Sequence, residues 1–114
     1  IRVSLFIEPS IRDIRISYML NADCIEIHTG QFCNLFNKGV NTIKEYLKIK
    51  NSVDFAKKMG LEVHAGHGLT YRSAKKISKI KGISEFNIGH FVVSESIFIG
   101  LKKTIIKFKR ILKK

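Results

Sequence analysis

Cys24-Ile25-Glu26-Ile27-His28 alternates apolar and polar side chains with the two-residue period of a β-strand, and the fold turns on which face each set takes. Ile25 and Ile27 share one face, expected to lie under helices, while Cys24, Glu26 and His28 share the other. Leu61-Glu62-Val63-His64-Ala65-Gly66 repeats the pattern: Leu61 and Val63 go to the helix side, and Glu62, His64 and Gly66 oppose them. Working outward, two more strands are expected, Val3 to Glu8 and Glu85 to Gly89, the latter with Phe86 and Ile88 opposite Asn87 and Gly89. Central strands of an open doubly wound sheet are apolar on both faces, whereas a barrel can carry polar groups at the mouth of its interior. The polar second face therefore favours barrel geometry.

Helix signals follow each strand. Ser10 with Asp13 three residues on is a capping-box pattern, after which Ile11, Ile14 and Tyr18 are expected to share a face. Ile43, Tyr46, Ile49, Val53 and Ala56 form a second stripe ended by Gly60, and Thr70 caps a third helix carrying Ala74 and Ile77 before Gly82 stops it. Leu101, Ile105, Phe108 and Leu112 make the stripe of a fourth. Four strand–helix repeats are the signature of parallel βα units, and no linker or low-complexity stretch interrupts them.

Composition bounds the rest. The chain has 114 residues, 45% hydrophobic, with one Pro and eight Gly, enough for one modest core. No apolar run approaches the roughly 18 residues of a transmembrane helix. Cys24 and Cys33 are too sparse for a disulfide framework and no signal-peptide pattern opens the chain, so a cytoplasmic location is expected. Ile1 rather than Met comes first and a strand begins almost at once, which suggests a fragment or one half of a split protein. Lys and Arg number 21 against 9 acids, a net charge of +12, but seven of the cations crowd the last fourteen residues with no acid among them. That tail is either an RNA or membrane face or the solvated outer face of a docked helix, the reading taken here.

All four histidines, His28, His64, His67 and His90, fall at or just past expected strand ends, the edge where parallel α/β folds place their sites. With Glu26 on the inward face, carboxylate plus imidazole points to proton transfer. His64-Ala65-Gly66-His67-Gly68-Leu69-Thr70 and Asn87-Ile88-Gly89-His90 each lead from strand into helix. Their glycines either serve tight turns or let backbone N–H groups approach a phosphate; two such segments on adjacent strands favour phosphate. Cys24-x3-His28-x4-Cys33 and His64-x2-His67 hold metal-ligand types, but there is no Cys-x2-Cys pair or His-Glu-x-x-His helix, and no metal is expected. The nucleophile elbow of α/β-hydrolases and the P-loop of NTPases are also missing.

Arg2-Val3-Ser4-Leu5-Phe6-Ile7-Glu8, Ile25-Glu26-Ile27-His28-Thr29-Gly30, Ala65-Gly66-His67-Gly68-Leu69-Thr70-Tyr71 and Asn87-Ile88-Gly89-His90, in this order, resemble the PdxJ family of pyridoxine 5′-phosphate synthases. The resemblance implies a TIM (β/α)8 barrel of which residues 1–114 form the C-terminal half of a single domain, strands five to eight with their helices. It implies condensation of 1-deoxy-D-xylulose 5-phosphate with 3-amino-2-oxopropyl phosphate, with no metal or organic cofactor, by cytoplasmic homo-oligomers. His67 matches the family's proton donor, Glu26 a transition-state-stabilising carboxylate, and Gly68, Gly89 and His90 the positions holding the aminoketone phosphate. His28 and His64 are candidate accessory residues. Two departures stand out: His64 replaces the usual Asn, and Ser94-Glu95 replaces a Gly-Arg pair, putting an acid where a cation would suit a phosphate. The alternatives are an inactive remnant of the enzyme and a basic RNA-binding βα module. The latter needs exposed aromatics beside cations, whereas Phe86, Phe91 and Phe98 are expected in apolar contexts.

Overall fold

The computed structural model describes residues 1–113. Its elements run β1 (Ser4–Ile7), α1 (Ile11–Met19), β2 (Cys24–His28), α2 (Gly30–Asn37), α3 (Ile43–Lys58), β3 (Glu62–Gly66), α4 (Tyr71–Ile77), β4 (Ile83–Asn87), α5 (His90–Ile99) and α6 (Leu101–Leu112). The strands form one parallel sheet in sequence order, β1-β2-β3-β4. Register aligns Phe6 with Glu26 and Glu26 with His64, and likewise Leu5 with Ile25 and Ile25 with Val63. One face of the sheet is thus the row Ile25, Ile27, Val63 and Ala65, all buried, packed with Ile14, Ile49, Val53, Ala56, Ala74, Ile77 and Phe108 of the helices in a single core. The shortest dimension of the molecule is 22 Å, the depth of one sheet with one helix layer. On the other face Phe6 is 56% exposed.

Three expectations shift. β4 begins at Ile83, two residues before the alternation suggested, because a bulge interrupts it: Val63 pairs with Ile83 but His64 pairs with Glu85, so Ser84 is extra. That insertion lets Ile83 and Phe86, three apart, both face the helices. In α1 the buried positions are Ile14 and Ser17, while Ile11 and Tyr18 are exposed; Ser17 lies there satisfied because its hydroxyl donates to Asp13 O at 2.8 Å. In α6 the docked face is Thr104 and Phe108 with Leu112 half-buried, and Leu101 and Ile105 are exposed. Phe108 decides this, lying 4.6 Å from the Tyr71 ring and 5.9 Å from Phe91.

Helices α2 and α5 carry little sequence signal. Each starts at a glycine boundary without a side-chain cap bond, and α5 is apolar around its circumference rather than along a stripe. The start of α4 is the opposite case: Thr70 N donates to Ser73 Oγ at 2.8 Å, and Thr70 Oγ1 accepts from Ser73 N. Both cysteines are free and buried. No helix among the described residues is long and apolar enough to cross a membrane.

A polar clamp joins strands near the start of β3. The Glu62 carboxylate takes up His64 Nε2 at 2.9 Å, the guanidinium of Arg2 and the Ser84 hydroxyl at 3.2 Å. The His64 bond first, and the Arg2 bond second, hold its pKa at about 2, below the usual 4.5. A depressed carboxylate stabilises the fold above its unfolded pKa and loses that contribution as pH falls through its folded value. Urea unfolding followed by circular dichroism should therefore show stability falling between about pH 4.5 and 2. In Glu62→Gln that fall should be shallower, and equal slopes would contradict the clamp.

Open edges generate a second expectation. β1 and β4 each have one flank without a strand among the described residues, and such edges template further pairing. The chain alone should self-associate at micromolar concentration in sedimentation velocity; a monodisperse monomer would count against this.

Candidate active site

At the C-terminal ends of the strands lies a cavity of about 870 Å³. Phe6 of β1, Glu26 of β2, His67 to Thr70 of the β3–α4 connection, Asn87 of β4, and Gly89 with His90 at the start of α5 contribute to its wall. Five of the residues singled out in the sequence, Glu26, His67, Gly68, Gly89 and His90, therefore meet on one surface. His28 does not line it but touches His67 from behind, ring centroids 4.7 Å apart. His64 is directed elsewhere: it is 7% exposed, bonded to Glu62, with Nδ1 3.7 Å from Glu85 Oε1, so its nitrogens serve the clamp. Ser94 and Glu95 fall within α5, and the Ser94 hydroxyl donates to His90 O at 2.9 Å.

Glu26 is fixed from two sides. Asn87 Nδ2 donates to its Oε2 at 2.7 Å across the intervening strand. Its Oε1 occupies the space that a side chain on Gly66 would need, since a Cβ there would fall 2.0 Å away. Only glycine at position 66 lets the carboxylate lie over β3. A carboxylate held in this way offers negative charge at one place without rearrangement, which suits a developing cation.

His67 has φ of 77°, left-handed backbone that a residue with a Cβ adopts at a cost of the order of 1–3 kcal/mol. The surrounding bonds enforce it. Thr29, fully buried, sends its backbone N–H to Gly66 O at 2.8 Å, and its hydroxyl lies 2.8 Å from both Gly66 O and His67 O. Gly68 continues the left-handed path, packed over Cys33. Burial pushes the Cys33 thiol up, so it remains a neutral filler. Among the described residues no three His, Cys, Asp or Glu side chains gather where they could hold a metal ion.

Sequence reasoning assigned no role to Thr29 or Phe6. The signal for Thr29 was present, a hydroxyl at a strand end competing for local backbone groups, but its partners lie 37 and 38 residues away. Asn87 was placed on the inward face; its bond to Glu26 depends on a register that strand parity leaves open.

The family model described as pyridoxal phosphate biosynthesis protein PdxJ matches residues 1–114. A pyridoxine 5′-phosphate synthase of Pelagibacter ubique is 54% identical over 114 residues, all of this chain and 48% of the relative. Enzymes of the same name from Sulfurihydrogenibium sp. and Zymomonas mobilis are 46% and 48% identical, over 98% and 92% of this chain and 45% and 40% of theirs. The chain thus spans about half the length of the curated relatives it matches, and its parallel four-stranded sheet with helices on one face fits part of a TIM barrel. By sequence over its whole length the chain belongs to the PdxJ family.

Proposed function

We propose that this chain is the C-terminal half of a pyridoxine 5′-phosphate synthase, supplying strands five to eight of the barrel in a cytoplasmic homo-oligomer. The reaction condenses 1-deoxy-D-xylulose 5-phosphate with 3-amino-2-oxopropyl phosphate to pyridoxine 5′-phosphate, releasing inorganic phosphate and water, without metal or organic cofactor. One observation carries the reading: the five residues that the family resemblance assigns to catalysis and phosphate binding line one cavity.

Each role that the resemblance implies suits the residue's position. Attack of the amine on the ketone gives a carbinolamine whose hydroxyl leaves as water only when protonated, and His67, exposed on the cavity wall, is the acid. Loss of water creates a cationic iminium, and the fixed Glu26 carboxylate stabilises that charge. Gly68, Gly89 and His90 receive the aminoketone phosphate. Gly89 caps α5 and a Cβ there would meet nothing within 4 Å, so its backbone faces open space at a helix start. The remaining acid–base groups and the other wall of the site belong to the barrel half not spanned here.

The test is complementation: the chain is fused to the part of the Pelagibacter ubique relative that it does not span, and formation of pyridoxine 5′-phosphate is followed. In that complemented enzyme His67→Asn and Glu26→Gln should each lower turnover about a hundredfold to ten-thousandfold with little change in unfolding midpoint. Turnover within threefold of the parent for both would remove them from the mechanism.

Two observations keep an RNA-binding reading in play. Phe98, expected in an apolar context, is 83% exposed, and α6 beyond it bears Lys102, Lys103, Lys107, Lys109 and Arg110. RNA binding through this face would weaken steeply with salt, because each phosphate contact releases counterions. It would vanish when residues 102–114 lose their lysines, whereas phosphate held at Gly68 and Gly89 would survive. We expect the second pattern in a filter-binding salt series; tight, salt-sensitive RNA binding that depends on the tail would overturn the ranking.

A further inference from the structure

His28 stands outside the cavity, yet its ring packs against that of His67. The two rings lie with centroids 4.7 Å apart and planes at 58°. Phe6 packs edge-on against His28 at 5.1 Å and reaches His67 at 6.5 Å. Beneath them Gly30 leaves space that both rings use: a Cβ there would fall 2.8 Å from His28 Nε2 and 2.8 Å from His67 Cδ2. On its far side His28 Nδ1 is 2.7 Å from Glu8 Oε1, just past the end of β1. An ionised carboxylate only accepts, so Nδ1 is the donor in that bond and the Nε2 edge is the one turned toward Gly30 and His67.

We propose that Glu8 and His28 are positioning residues for His67: Glu8 anchors the His28 imidazole, and that ring fixes the plane in which His67 faces the cavity. A side chain on strained, left-handed backbone at a cavity wall needs such a support, because Thr29 fixes only its main chain. The inference deepens the proposed function and rests on it for the role of His67. It also spans two strands, since Glu8 follows β1 and His28 ends β2, so the pairing of these strands sets the site.

The experiment uses the complemented enzyme with two readouts. Kinetically, His28→Ala and Glu8→Ala should lower kcat about tenfold to a hundredfold, as expected for a slightly misplaced acid, with KM for either substrate changed less than about threefold. Glu8→Gln, which keeps an oxygen acceptor, should recover most of the loss. The double variant should be no slower than His28→Ala alone, because both residues act through one ring contact. Independently of turnover, the nuclear Overhauser contact between the His67 ring and Gly30 Hα should weaken in His28→Ala and persist in Glu8→Gln. A kcat within threefold in both alanine variants with that contact intact would overturn the inference, even where His67→Asn is crippled. An inactive parent whose ring contact responds as stated would instead sink the proposed function and leave the support of His67 standing.

Discussion

One threonine hydroxyl organises the site. Thr29 is the first residue past β2, and its main-chain and side-chain groups close onto the carbonyls of Gly66 and His67 at the end of β3. Without solvent to compete, such bonds are costly to leave unmade, so the β3–α4 connection has little choice but the left-handed turn that lifts His67 to the cavity wall. As an acceptor the same hydroxyl faces Cys33 Sγ at 3.8 Å, and it takes no backbone N–H from α2, which begins at the next residue.

Much of this was legible because strand parity is a rigid rule. The apolar row Ile25, Ile27 and Val63 fell under the helices, and the row of Glu26, His64 and Gly66 fell opposite. Capping chemistry announced α1 and α4 for the same reason, since Ser10 and Thr70 have local partners three residues on. What stayed hidden depends on contacts distant in sequence. The bulge at Ser84 displaced the start of β4, and the burial of Thr104 instead of Ile105 in α6 follows from where Tyr71 and Phe91 place their rings.

The histidines show the difference most plainly. Four shared one sequence signature, a position near the end of a strand, yet the fold gives them separate work. His67 and His90 face the cavity, His28 stands behind His67, and His64 is consumed by Glu62 and Glu85 on the inner face. Residue type and strand end selected the set; cross-strand register sorted it.

The β-bulge has a bearing on how this strand can change over evolutionary time. A deletion within a strand ordinarily rotates everything beyond it to the opposite face. Here Ser84 is the surplus residue, so its loss would leave Ile83 opposite Val63 and Asn87 opposite Gly66 as they are now. The sacrifice would be its bonds to Val63 O and Glu62. Removal of Glu85 instead would let Ser84 take its place opposite His64 with Phe86 still opposite Ala65, whereas removal of Phe86 would bring Glu85 opposite Ala65 on the helix side. A one-residue shortening at Ser84 or Glu85 is thereby absorbed by the bulge and spares the amide bracing Glu26.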